Sequence, residues 1–389
     1  MGRNLGNIPV SWKEKLVIPL FPQIKWSKVK PVLFHSDDWG WCGFCPDLEF
    51  ADKLLKPFCK RYGAKADFLV KGTLETSDNL ERLFAVLEKY EDHRGKPPIF
   101  QAAYILGNPD YKKIKESGFQ KYYDLPIPEV PKRWQRGDFI SKAFEGIKKG
   151  VWFPTFHGFS HFDPENWMED LQDDPNVQMA FGESCYLSKN DPITSCLYSP
   201  SDKEAIKRQK EEIKIGVERF QRVFGFKPFS AVAPFYVWHP KVEEMLAKAG
   251  IKVIQGKNLQ QIRTNFWHRV EGKIFNLIGY KHSYKLWQIR SGDRNPGYGI
   301  HYITRNVYFE PWGCKDDAVV LKTLQQIRQA WENNEPAVVI THRINYACLD
   351  REAVEVNLKH LDRLLYTLVT QEEKVTFMTD EEIIRLCER

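Results

Sequence analysis

Apolar runs of strand length recur along this chain, separated by amphipathic segments of helical length, and this alternation constrains the fold more than any other feature. The runs are KPVLFHSDD (30–38), PPIFQAAYILG (97–107), GVWFPTFHGF (150–159), FSAVAPFYVW (229–238), IKVIQG (251–256), HYITRNVYFE (301–310), PAVVITHR (336–343) and KVTFM (374–378). Between them, DLEFADKLLKPFCKRYG (47–63), DNLERLFAVLEKYEDH with Ser77 as a cap, DPENWMEDLQ (163–172), the long segment 201–225 with Ser201 or Asp202 as a cap, HPKVEEMLAKAG (239–250), 316–334 and 351–370 read as helices. Strands that are apolar on both faces and alternate with helices predict an α/β fold with a largely parallel sheet or barrel. The chain has 389 residues, 42% of them hydrophobic, and shows no repeat or dividing linker. It reads as one domain over 1–389 with a core at about 30–380. A less regular insertion at 257–298 is a candidate lid or partner surface.

In such folds ligands collect where strands end. Three runs end in metal- or proton-handling residues: Asp37 and Asp38, then His157 with His161, then His342 with Arg343. Two histidines four apart can point both imidazoles at one ion, and a carboxylate from another strand would complete a His-His-Asp set with positions left open. Gly158 follows the first histidine, so the pair is not the HExxH helix of zinc proteases. Taken alone, either pair has a plain structural reading as a turn, a cap or a core contact.

These residues, in this order, resemble the polysaccharide deacetylase (NodB-homology) family. Ser36-Asp37-Asp38-Trp39-Gly40 is similar to the family's TFDDG motif with one extra residue before the glycine. His157 to His161 is similar to its H-S/T-x-x-H motif, and Ile340-Thr341-His342 to its L-x-H motif. The resemblance implies a distorted (β/α) barrel of about seven parallel strands. It also implies a metal-dependent hydrolase that removes an acetyl group, N-acetyl before O-acetyl, from a sugar in a polysaccharide or glycan precursor. Carried over residue by residue, Asp38, His157 and His161 would hold a divalent metal, zinc first, Asp37 would be the general base and His342 the general acid.

Besides the extra residue before Gly40 and Gly158 at the S/T place of the histidine motif, the chain departs from the family in two further places. The arginine usual before the proline of FSAVAPFYVW is absent, Ser230 to Ala233 standing there, and the family's Asp-and-Trp motif has no counterpart. Arg343 is the candidate replacement for the arginine as an oxyanion partner, and equally a candidate structural ion-pair residue. Two rival readings follow: a same-fold amidohydrolase acting on another C–N bond, and a carbohydrate-binding protein with a decayed site.

Trp39, Pro234, Tyr236, Trp238 and Asn345 are the candidate substrate-binding residues, with Trp41 and Glu310 behind them. Aromatics beside strand ends can stack on sugar faces, although each alone is as readily core. His35, His239 and His301 read as structural or exposed. WCGFC (41–45) has thioredoxin-like spacing, but Phe44 stands where proline would, and no second CxxC exists for a zinc clip. The cysteine pair is expected to pack in the loop after the first strand. With 57 basic and 51 acidic residues interspersed, the charge argues against a nucleic-acid partner. Neither a signal-peptide pattern nor a run of about 18 apolar residues is visible, which predicts a cytoplasmic chain without a transmembrane segment.

Overall fold

A computed structural model of the chain describes residues 24–54, 66–189, 203–236, 238–263 and 284–388. Nine strands form one sheet in which every pairing is parallel. They are β1 (Pro31–Trp39), β2 (Phe100–Ile105), β3 (Trp152–Gly158), β4 (Ser230–Val232), β5 (Val253–Gly256), β6 (His301–Thr304), β7 (Val307–Tyr308), β8 (Ala337–His342) and β9 (Thr376–Phe377). The order is β6-β5-β4-β3-β2-β1-β8-β7, with β9 also paired to β1.

The sheet is a distorted barrel because its two edges belong to one stretch of chain. β6 pairs with β5, and Arg305 N–H still donates to Gly256 O; then Asn306 N–H donates to Val338 O and β7 pairs with β8. The run read as a single strand, HYITRNVYFE, therefore divides at Arg305–Asn306, each half serving one edge. That division turns the eight apolar runs into nine strands, where the resemblance implied about seven. FSAVAPFYVW is strand only over Ser230–Val232, and Pro234 opens a 3-10 turn, Pro234–Tyr236, because it has no N–H to give a ladder.

Period-2 alternation sorts the strand residues into layers inside the barrel. The lowest holds Leu33, Val253, Ile303 and Val338, packed with Met378, Ile383 and Ile384. The last two come from a C-terminal helix, α7 below, that plugs this end. Two residues along β1 comes His35, and with Gln101, Gln255 and Asp380 it makes a buried polar layer. Two further on is Asp37, at the carboxyl ends of the strands. A larger apolar shell, including Phe34, Phe100, Trp152, Leu361 and Leu365, separates the sheet from its helices.

The helices that matter here are α1 (Ser77–Leu87), α2 (Phe139–Lys149), α3 (Lys203–Phe224), α4 (Pro240–Ala249), α5 (Ala318–Glu332), α6 (Arg351–Gln371) and α7 (Asp380–Cys387), besides others such as Pro164–Asp173. Ser77 is not the cap of α1: Thr76 is, its hydroxyl accepting from Asn79 N–H while Asn79 returns a bond to Thr76 N–H. The expected caps Ser201 and Asp202 lie outside the described residues, as do 55–63 of the helix expected over 47–63. The ends of the 257–298 insertion pair as an antiparallel ribbon, Leu259–Arg263 with Tyr284–Gln288. Among the described residues, no helix is long and apolar enough to cross a membrane.

Candidate active site and metal centre

In a regular strand Asp37 and Asp38 would point to opposite faces. Here β1 carries one residue more than β2 between Ser36 and Trp39, and Asp38 takes a left-handed conformation with φ 74. The bulge breaks the alternation, so both carboxylates reach the same mouth. At the end of β3, Gly158 has φ 125, a conformation costly to residues with a Cβ, and the chain turns so that His161 comes back beside His157.

Asp38 Oδ1 lies 3.3 Å from His157 Nε2 and 3.1 Å from His161 Nε2. One ligand atom from each of the three falls within 4.8 Å of the others, a cluster able to hold a metal ion. His157 Nδ1 is 3.0 Å from Val232 O; donating there fixes the tautomer that leaves Nε2 as a lone-pair donor. Trp41 stacks on His161 at 4.8 Å and 16° and limits its rotation. Two imidazole nitrogens and one carboxylate oxygen suit zinc and its neighbours.

Asp37 and His342 are register partners on adjacent strands, with His342 Nε2 4.0 Å from Asp37 Oδ2. His342 Nδ1 pairs with Glu310 Oε1 at 2.6 Å, and Glu310 Oε2 accepts from Asn345 Nδ2 at 2.6 Å. Burial pulls the imidazole down, but Glu310, Asp38 and Asp37 outweigh it and push His342 up to about 10. Burial would likewise raise both aspartates. Instead the Arg305 guanidinium brings Asp37 down to about 2, and His161 and His157 hold Asp38 well below the usual carboxylate range.

Arg305 is the residue that sequence reasoning missed. Its Nη1 and Nη2 donate to Asp37 Oδ2 and Oδ1 at 2.6 and 2.8 Å, a bidentate pair fully enclosed by protein. Arg343, the expected replacement, is instead buried against Glu75 at 3.3 Å and donates to Trp41 O. Its guanidinium braces the loops after β1 and β8 and makes no hydrogen bond to Asp37, Asp38 or His342. The missed signal was positional: Arg305 is the first residue after β6, as Asp37, His157 and His342 stand at the ends of theirs.

Several proposed substrate contacts prove to be core. Trp39 is fully buried, donating to Ser36 Oγ at 2.9 Å and edge-on to Trp152. Trp238 is fully buried on Glu243 at 2.8 Å. Asn345 is fully buried as the support of Glu310, which orients His342 and so is not free to be a substrate contact alone. Pro234 is buried and begins the turn that aims Tyr236, whose φ is 60. Tyr236 is partly exposed; its hydroxyl accepts from Arg305 at 3.1 Å, and Lys257 lies 4.9 Å over its ring. Of these candidates, Tyr236 alone faces both solvent and the site.

Cys42 and Cys45 are buried free thiols in the loop after β1. Burial pushes the Cys42 thiol well above its ordinary range, the reverse of what a redox nucleophile needs. His35 is fully buried, with Nε2 2.9 Å from Asp380 Oδ1.

Parallel strands rolled into a distorted barrel carry a His-His-Asp cluster at their carboxyl ends, with the Asp37 carboxylate and the His342 imidazole beside it. No family model matches the chain, and no curated protein matches it. Solved structures that it resembles include a protein of Pseudomonas aeruginosa PAO1 described as a polysaccharide deacetylase, at 10% identity and TM-score 0.44, covering 94% of this chain and 92% of that one. Puue allantoinase aligns at 9% identity and TM-score 0.42, covering 94% and 92%. Peptidoglycan deacetylase PdaC from Bacillus subtilis aligns at 11% identity and TM-score 0.35, covering 93% and 95%. At these scores the likenesses carry no weight for the chemistry, which stands on the chain's own residues.

Proposed function

We propose that this chain is a metal-dependent hydrolase that removes an acetyl group, N-acetyl first, from a sugar in a polysaccharide or glycan precursor. The observation that carries the reading is the pairing of Asp37 with His342 across β1 and β8, beside the cluster of Asp38, His157 and His161. Three motifs in family order support the sugar amide as substrate. A divalent cation held by the cluster, zinc first, would polarise an acyl carbonyl and acidify a nearby water.

Asp37 is ionised at neutral pH, and each of its oxygens keeps a second lone pair beyond its bond to Arg305. It takes a proton from the attacking water as the water oxygen bonds to the acyl carbon. His342, cationic and steadied by Glu310, delivers its Nε2 proton to the leaving nitrogen as the C–N bond breaks, releasing acetate and a free amine. The decayed-site alternative drew on a missing arginine, and Arg305 removes that motive. An amidohydrolase acting on another C–N bond would use the same groups and differ only in substrate.

The test begins with the metal content of the purified protein by elemental mass spectrometry, wild type against His157→Ala/His161→Ala. It continues with acetate release from N-acetylated chito-oligosaccharides, peptidoglycan and a panel of small amides. Near-stoichiometric metal lost in the double variant, with acetate released from a glycan, supports the reading. Metal without acetate but with turnover of a small amide favours the amidohydrolase. No metal in either protein, even after incubation with zinc, overturns the mechanism.

A further inference from the structure

Beneath Asp37 the barrel encloses a run of polar contacts that ends on the last helix. Arg305 Nε donates to His35 Nδ1 at 3.1 Å, and His35 Nε2 donates to Asp380 Oδ1 at 2.9 Å. Gln255 makes a second bridge, its Oε1 accepting from Arg305 Nη2 and its Nε2 donating to Asp380 Oδ2 at 2.6 Å. Gln101 Oε1 accepts from Asp380 N–H at 2.9 Å. His35, Gln101, Gln255 and Asp380 are all fully buried, and Arg305 is nearly so. With Asp37, Tyr236, Gln255 and His35 as acceptors, the five N–H bonds of the guanidinium all have partners.

We propose that Asp380 and His35 are positioning residues for the base Asp37, acting through Arg305. A buried guanidinium facing one carboxylate can pivot about it; a second anchor on Nε removes that freedom. His35 supplies the anchor only as the Nε2–H tautomer, because Nδ1 must accept from Arg305, and Asp380 selects that tautomer by accepting from Nε2. Asp380 is the first residue of α7, whose Ile383 and Ile384 pack into the lowest barrel layer, so the plug of the barrel also sets the site 75 residues back in the chain. Nothing in this network needs the metal, and the catalytic consequence rests on the hydrolase reading.

The test uses the full chain and its metal-loaded form. Asp380→Asn, folded and with its metal content intact, is expected to lower kcat for acetate release by about 10- to 100-fold, the usual range for partners of site residues, with KM changed less than about twofold. His35→Leu should do the same. His35→Gln, which keeps one donor and one acceptor, should recover most of what His35→Leu loses, a rescue that a purely packing role would not give. Independently, 15N NMR of histidine-labelled metal-free protein should show His35 as the Nε2–H tautomer, and Asp380→Asn should redistribute it.

Unchanged kcat in folded, metal-loaded Asp380→Asn and His35→Leu would overturn the proposal, as would an Nδ1–H tautomer in the wild type. If Asp380→Asn does not fold, the His35 pair decides. If the wild type releases no acetate from any glycan, the hydrolase reading fails while the tautomer experiment still decides the link from Asp380 to Arg305.

Discussion

Both oxygens of Asp37 accept from Arg305, at 2.6 and 2.8 Å, although the two residues are 268 positions apart and belong to opposite sides of the barrel seam. The pair forms because β6 ends where the chain crosses from β5 to β8, which aims the side chain of Arg305 into the barrel. Removing the cation would leave a carboxylate buried without its main partner. Arg305→Leu should therefore lose about 3–5 kcal/mol of stability in urea unfolding at pH 7. The sign with pH follows from Asp37: its folded value, about 2, lies below its ordinary 3.8. Its contribution in the wild type is complete above about pH 4 and disappears as pH falls through 2; in the variant burial raises the same carboxyl, so the gap should begin to close above pH 4 and be gone below 2.

If the chain is the proposed hydrolase, Glu310 and His342 should set the alkaline side of its activity. The imidazole is raised from 6.5 to about 10, and after burial, which opposes the shift, Glu310 is its main cause. Glu310→Gln keeps the shape and removes the charge, so the imidazole should lose its proton at lower pH. The expected result is an alkaline limb of kcat/KM displaced to lower pH, with metal content unchanged. In metal-free protein, NMR titration should likewise find His342 protonated at pH 8 in the wild type and less so in the variant. Stability follows the same sign: a raised histidine contributes below about 6.5 and ceases to as pH rises through 10.

The strands' places along the chain and the grouping of Asp38, His157 and His161 were legible because both rest on local signals. Parallel strands buried on both faces give unbroken apolar runs, and strand ends mark where chemistry collects. Arg305 was hidden because HYITRNVYFE is apolar enough to read as one strand; only the crossing between two edges makes residue 305 an end. Trp39 and Asn345 were misassigned because exposure depends on packing partners distant in sequence, Trp152 and Glu310, and Trp238 because its indole turns back onto Glu243, five residues on, at the start of α4. Asp380 carried no signal at all, since nothing in TDEEIIRLC tells that its helix plugs the barrel and puts its first acid under the site.

Trp41 should tune the cluster without ligating. Its ring lies 4.8 Å from that of His161 and nearly parallel, so it holds one ligand in place. Trp41→Ala should weaken zinc binding by about tenfold, at the low end for groups that orient a metal ligand, as measured by competition with a chromophoric chelator. Binding at wild-type affinity would show that His161 is held by its backbone alone.

Arg343 provides the contrast with Arg305. It and Glu75 are both buried, and Glu75 also accepts from Gly40 N–H at 3.0 Å, just past the two aspartates. Arg343→Met should destabilise the protein by about 3–5 kcal/mol, because Glu75 stays buried, its carboxyl already pushed above its ordinary value by that burial. Glu75→Gln/Arg343→Met removes both charges while leaving an acceptor for Gly40. It should be more stable than Arg343→Met alone by at least about 1 kcal/mol, a coupling expected of residues in direct contact. Per folded, metal-loaded molecule, Arg343→Met should lower kcat far less than Arg305→Leu does. An equal fall in both would return Arg343 to the reacting groups.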